Sequence, residues 1–298
     1  MYTEYYNLKA KPFSLTPDPD YFFLSSGHRR AFTYLNYAIR EGEGFVVISG
    51  EIGAGKTTLL RTVLKGIKED EVSISFIRNT MVTGTQLVKI IADDFGIPDV
   101  WNQEKEQILS SMNYFLIDQF GRNKKTLLII DEAQNLSPST LEEIRLLSNL
   151  ETDKHKLLQI ILSGQPELRD KLAIPQLEQL RQRVILSYHL GPLSMEETGE
   201  YIKHRMHRAG GNGIFKEETF KEIYDFSGGT PRLINIICEF SLLFGFVEGR
   251  SAIDLDIVRS VREDLERDRI QAMKASYVKG LHPAEPYDKA GRVADAER

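Results

Sequence analysis

Two short stretches carry residue types able to handle phosphate. The first is Gly50-Glu51-Ile52-Gly53-Ala54-Gly55-Lys56-Thr57, with Thr58 behind it. It fits G-x-x-x-x-G-K-[ST] at every fixed position. Its glycines let the backbone turn tightly at positive φ with no Cβ in the way. The N–H groups so exposed make an anion nest, and a helix starting at the lysine would aim its positive end at the same place. Lys56 would neutralise the terminal phosphates, and Thr57 would offer its hydroxyl to Mg2+. The second stretch is Asp131-Glu132, adjacent acids that close the apolar run Leu127-Leu128-Ile129-Ile130. Paired with a phosphate loop, Asp131 would hold Mg2+ through its water shell, and Glu132 would polarise an attacking water. A kinase acting on a small molecule has no use for Glu132 in that role, so the pair favours hydrolysis. Residues 50–58 are thus the candidate nucleotide contacts, and Thr57 and Asp131 the candidate metal contacts.

These residues need a scaffold that brings strand ends together. Phe45-Val46-Val47-Ile48-Ser49 is a β-branched run bounded by glycines, which predicts a buried strand. Similar runs recur at 72–77, 126–130, 157–162 and 184–190. Helical spacing is read at 27–40, 57–67, 84–95, 105–120 and 139–150. Strands alternating with helices predict an α/β unit, a five-stranded parallel sheet between helices, over 27–191. After Leu190 the strand signal stops. Segments 194–208, 216–226, 231–247 and 254–269 read as helices, with Ser194, Thr230 and Asp254 as N-caps. They form an all-helical unit over 192–269. Residues 1–26 are rich in aromatics and broken by Pro12, Pro17 and Pro19, which predicts an ordered arm packed on the core. Residues 270–298 mix Gly, Pro and charge without period and read as a disordered tail.

Composition narrows the field. The chain has 298 residues, 38 Lys+Arg against 43 Asp+Glu, and a formal net charge of −5. That balance argues against a surface that coats nucleic acid non-specifically. A single cysteine, Cys238, excludes a disulfide framework within the chain and any multi-cysteine metal site; on an apolar helix face, it reads as a core thiol. His204 and His207 stand three apart on a helix without further metal ligands, which reads as a solvated face. Charges and prolines in the first twenty residues leave no room for a signal peptide, and no run is long enough to span a bilayer. The expected location is cytoplasmic, with room for peripheral attachment at the inner membrane.

The order of motifs resembles the AAA+ ATPases, and among them the general secretion pathway protein A (ExeA/GspA) family of short soluble type. That group includes ATPases of pilus-biogenesis and of exopolysaccharide or exosortase loci. The resemblance rests on Tyr2-Thr3-Glu4-Tyr5-Tyr6 through Pro17-Asp18-Pro19, Gly42-Glu43-Gly44-Phe45, Asp131-Glu132-Ala133-Gln134, Gly164-Gln165-Pro166-Glu167-Leu168, Leu180-Arg181-Gln182-Arg183 and Gly228-Gly229-Thr230-Pro231-Arg232. It implies an AAA+ core with a C-terminal helical lid that binds Mg-ATP and hydrolyses it between subunits of a ring or filament. It also implies roles for single residues. Gln165, with Ser163 as rival, falls at the sensor 1 position. Arg183, with Arg181 as rival, falls where an arginine finger reaches a neighbouring site. Arg232 falls at sensor 2, behind a possible Gly228-Gly229 hinge. The arm would supply part of an adenine pocket, with Phe13, Leu15 and Tyr21 as candidates. The partner implied is a secretion, pilus or polysaccharide-export machine. Transposition ATPases of the TniB and MuB type share this core, so ATP-dependent DNA binding is the alternative.

Overall fold

The computed structural model describes residues 1–68, 70–151 and 155–278, with side chains described as far as 267. The helices are α1 (Tyr2–Tyr5), α2 (Ser26–Glu41), α3 (Lys56–Lys65), α4 (Gly84–Asp94), α5 (Lys105–Gly121), α6 (Pro138–Leu147), α7 (Glu167–Leu172), α8 (Glu178–Arg181), α9 (Met195–Arg208), α10 (Thr219–Ser227), α11 (Pro231–Val247) and α12 (Leu255–Val278). The strands are β1 (Phe45–Gly50), β2 (Val72–Ile77), β3 (Lys125–Ile130), β4 (Gln159–Gly164) and β5 (Val184–Leu190). They form one sheet in the order β2-β3-β4-β1-β5, and every pair is parallel. Parallel strands need covered faces. Phe45 and Val47 face a layer holding Ile91, Met112 and Ile144. Val46 and Ile48 face the opposite layer with Leu35, Leu59 and Val63. The strand at the edge behaves differently: Ile185, Ser187 and His189 are exposed, whereas Leu186 and Tyr188 pack inward.

Helices α9 to α12 enclose a separate core around Ile202, Ile223, Ile234, Ile237 and Leu242. Ser194 and Glu197 form a capping box on α9, and Asp254 Oδ1 accepts from Ile257 N at 3.2 Å ahead of α12. Thr230 stands at the N-cap of α11 but makes no side-chain cap bond. Pro231 at N1 leaves one fewer N–H to cap there. The last helix runs to Val278, nine residues into the stretch expected to be disordered. Residues 279–298 lie outside the described residues.

The arm departs from the expectation that it packs on the α/β core. Tyr2, Tyr6, Leu8 and Phe13 are buried in the helical unit. Tyr2 Oη donates to Glu239 at 2.8 Å, and Tyr6 Oη donates to Arg250 O at 2.9 Å. Only from Pro17 onward does the arm reach the core: Arg61 Nη1 donates to Pro17 O at 3.0 Å, and Phe22 packs with the α2–α3 layer. The cause is where apolar surface is on offer. The lid helices leave a cluster that aromatic rings complete, while helices already cover the sheet. His204 also departs from the solvated face: its ring lies 5.7 Å from that of Phe23, and burial lowers its pKa, with Arg208 and Arg205 adding to the shift. Cys238 is fully buried. Among the described residues no helix is long and apolar enough to cross a membrane.

Candidate functional site

The carboxyl ends of β1, β3 and β4 open on one edge of the sheet: Ser49 pairs with Gly164, and Ile130, the last residue of β3, pairs with Leu162. Open α/β sheets bind ligands at such edges. Gly50 closes β1 where a Cβ would lie 2.5 Å from Leu190 O, so only glycine fits beside β5. The chain then wraps through Gly53 and Gly55, at φ +82° and +96°, and enters α3 at Lys56. The Lys56 ammonium is buried and donates to Gly50 O at 2.6 Å and Glu51 O at 3.0 Å. Burial pulls its pKa down, and Glu132 and Asp131 nearby oppose that shift. The loop is braced from below. His28 Nε2 lies 3.1 Å from Ala54 O, and its Nδ1 lies 2.7 Å from Ser25 Oγ. With Nε2 as the donor, Nδ1 accepts from the serine hydroxyl and the ring is neutral. Burial lowers its pKa accordingly.

Asp131 is buried at the end of β3. Its Oδ2 accepts from Thr57 Oγ1 at 2.6 Å, and its Oδ1 accepts from Ser163 Oγ at 2.8 Å and Glu132 N at 3.1 Å. The hydroxyl of Thr57 beside this carboxylate is a pair of hard oxygen donors, the type that suits Mg2+. Among the described residues no three acidic, His or Cys side chains cluster as a metal cage. Mg2+ sites commonly complete their shell with phosphate and water, so the donor set fits. Glu132 sits at φ +55°, and its carbonyl accepts from Thr80 Oγ1 at 3.1 Å. Its carboxylate Oε2 accepts from Gln134 Nε2 at 2.6 Å and Gln165 Nε2 at 3.3 Å.

A cavity of about 330 Å³ opens over the loop, lined by Gly53, Gly55, Lys56, Thr57, Thr58, Glu132 and Arg232, and farther out by arm and lid residues. Ile52 also lines it, while Gly50, Glu51 and Ala54 contribute the carbonyls described above. Arg232 is brought in by the backbone: its N–H donates to Gly53 O at 3.2 Å, and a Cβ on Gly53 would sit 2.4 Å from Arg232 Cβ. The arm and lid residues of the lining include Leu15, Pro17, Tyr21, Tyr201, Arg205 and Asn235. Phe13 is absent from this lining and packs edge-on against Phe215 instead. Arg183 and Arg181 are not brought to the cavity. Arg183 Nη1 donates to Ser148 Oγ at 2.6 Å at the end of α6, and Arg181 pairs with Glu178 at 4.0 Å.

Sequence reasoning missed His28, Arg205, Asn235 and the role of Gln134. For His28, the spacing Ser25-x-x-His28 at a helix start was a readable signal. For Arg205 it was the Tyr201, Ile202, Arg205, Ala209 stripe, an apolar face with a charge in it. That guanidinium is buried and ties the arm to the lid through Pro12 O at 2.6 Å and Tyr201 Oη at 2.8 Å.

Comparison with known proteins adds three findings. Residues 39–172 match the family described as "AAA domain". The chain is 39% identical over 254 residues to general secretion pathway protein A of Aeromonas hydrophila, covering 85% of this chain and 46% of that protein. It thus spans about half the length of that relative. Similar solved structures include Cdc6p from Pyrobaculum aerophilum, with TM-score 0.66 and 18% identity over 85% of this chain and 70% of that one. The Aeropyrum pernix ORC1 protein in complex with DNA gives TM-score 0.64 and 16% identity over 92% and 73%. The Thermotoga maritima RuvB branch-migration motor gives TM-score 0.54 and 19% identity over 80% and 68%. At these identities the solved structures speak to fold alone.

Proposed function

The chain is an AAA ATPase similar to general secretion pathway protein A, and from that premise we propose that it binds Mg-ATP and hydrolyses it between subunits of an oligomer. The observation that carries this reading is the joint placement of Lys56, Thr57, Glu132 and Arg232 around one cavity, with Asp131 bonded to Thr57 behind it. Residues 50–58 cradle the phosphates with backbone N–H groups, and Lys56 neutralises their charge. Thr57 and Asp131 are the groups that would hold Mg2+; when bound, the ion neutralises charge developing on the phosphoryl oxygens. Glu132 accepts a proton from the attacking water. Arg232, at the start of α11, senses the terminal phosphate from the lid, and Gln165 does so from the exit of β4. Leu15 and Tyr21 frame the base.

Arg183 supplies the argument for an oligomer. It does not line its own cavity, which supports action on a phosphate bound by a neighbouring copy. A finger of this kind contributes on the order of 10³–10⁵ in turnover. Arg183→Ala is expected to bind ATP and turn it over slowly. Mixing it with Lys56→Ala subunits, which keep the finger but lose the nucleotide, is expected to leave fingers reaching loaded sites and to restore turnover. Absence of rescue at every ratio would place the arginine's action in its own subunit.

The similarity to a general secretion pathway protein supports an envelope machine as the partner, serving secretion, pilus assembly or polysaccharide export. It also supports a cytoplasmic chain held peripherally at the inner membrane. The test is light scattering of Glu132→Gln with ATP and Mg2+, with and without duplex DNA. The expected outcome is ATP-dependent assembly without DNA. Assembly that requires DNA would replace this reading with the transposition-type one.

A further inference from the structure

We propose that Gln134 is the positioning residue for Glu132: its amide fixes which oxygen of the carboxylate faces the attacking water. The proposal rests on Glu132 being the base. Three contacts carry it. Gln134 Nε2 donates to Glu132 Oε2 at 2.6 Å. Gln134 Oε1 accepts from the backbone N–H of Gln165 at 3.1 Å. Gln165 Nε2 reaches the same Glu132 oxygen at 3.3 Å. One amide therefore links the turn after β3 to the exit of β4.

Its orientation is unambiguous. An amide turned the other way would set its NH2 against the Gln165 N–H, two donors facing each other, and its carbonyl against a carboxylate, two acceptors facing each other. Space has been left for it as well. A Cβ on Gly164 would lie 2.8 Å from Gln134 Oε1, so a side chain there would push the amide aside. Glu132 itself sits in left-handed backbone, with its carbonyl held by Thr80, so main chain and side chain are both pinned. The two amides occupy Oε2, and Oε1 has no hydrogen-bond partner among the described residues. A carboxylate tied by one oxygen on one side presents the other oxygen in one direction, which is what proton abstraction from a positioned water requires. If Gln165 turns toward a phosphate, as its proposed role asks, Gln134 is the donor left in place.

The test is the split between kcat and KM for ATP in Gln134→Ala and Gln134→Glu beside Glu132→Gln. A carboxylate at position 134 offers no N–H, so it cannot donate to the Glu132 carboxylate. In Gln134→Ala we expect unchanged KM for ATP and kcat lower by roughly 10–100-fold, part of what a positioned base supplies. Gln134→Glu keeps the length of the side chain and loses the donor, so we expect it to lower kcat at least as far with KM for ATP again unchanged. Wild-type kcat in both Gln134 variants, alongside an inactive Glu132→Gln, would overturn the positioning role while leaving the base in place. Normal turnover by Glu132→Gln would overturn the base reading itself. Gln134→Glu is nearly isosteric and decides the matter if the alanine variant loses nucleotide binding. Loss of binding in both would make Gln134 a structural residue and overturn the proposal.

Discussion

Lys56 shows how tightly a single residue can be specified by its neighbours. Its ammonium is buried against two carbonyls of its own loop, with Asp131 and Glu132 as the opposing charges. Lys56→Ala is expected to abolish nucleotide binding in a fluorescent-nucleotide titration; wild-type affinity would refute the phosphate-loop assignment. His28 makes a prediction of a different kind. Burial depresses its pKa, so the folded state binds fewer protons than the unfolded chain below about pH 6.5. The stability linked to a neutral ring is fully present above that pH and is lost as pH falls through the depressed value. His204 acts in the same direction. Melting temperature is expected to fall on acidification toward pH 5, less steeply in His28→Gln. An equal slope in both would exclude His28 as a contributor. Much at this scale was legible in advance. Glycines and lysine at fixed spacing, and acids closing an apolar run, are local patterns. The Ser25-x-x-His28 spacing marks a helix start, but the tie from His28 to Ala54 and from Gln134 to Gln165 runs between elements, which local spacing does not show.

The elements were largely readable, because both periods are strong here. The run 72–77 is strand β2, 184–190 is β5, and 231–247 is α11. The short helices α7 and α8 escaped, since four to six residues carry too little period to register. The glycine pair before α11 reads as a hinge in sequence, but the two glycines are not equivalent. Gly228 has φ +54° with open space around its missing Cβ, whereas at Gly229 a Cβ would lie 2.0 Å from Leu193 O. Leu193 N also donates to Gly229 O at 2.9 Å. Gly228→Ala is expected to cost roughly 1–2 kcal/mol for left-handed backbone alone. Gly229→Ala is expected to cost more, approaching the ~4 kcal/mol that marks exceptional substitutions. Urea unfolding midpoints compare them, and equal losses would show that the junction yields.

At the scale of the whole molecule, the arm is the feature that local reading could not place. Its aromatics announce burial but not against what, and the answer lies in helices more than 190 residues away. From the lid core the arm passes along the cavity, where Ser14 to Asp18 form part of the lining, and then enters α2 beside the phosphate loop. Lid, cavity and core are thereby joined by one strap as well as by the α11–Gly53 contact. The cavity lining thus draws on arm, core and lid residues together, so a nucleotide held there would lie against both units.

The same strap sets a timetable for the ribosome. Tyr2 and its partner Glu239 are 237 residues apart. At roughly 5–20 residues per second, Tyr2, Tyr6 and Phe13 wait on the order of 10–50 s after emerging before their burial site has been synthesised. Throughout that interval these aromatics lack the surface that buries them in the finished fold, and exposed apolar surface of this kind is what makes incomplete chains prone to aggregate. Their burial is then timed by the completion of α11.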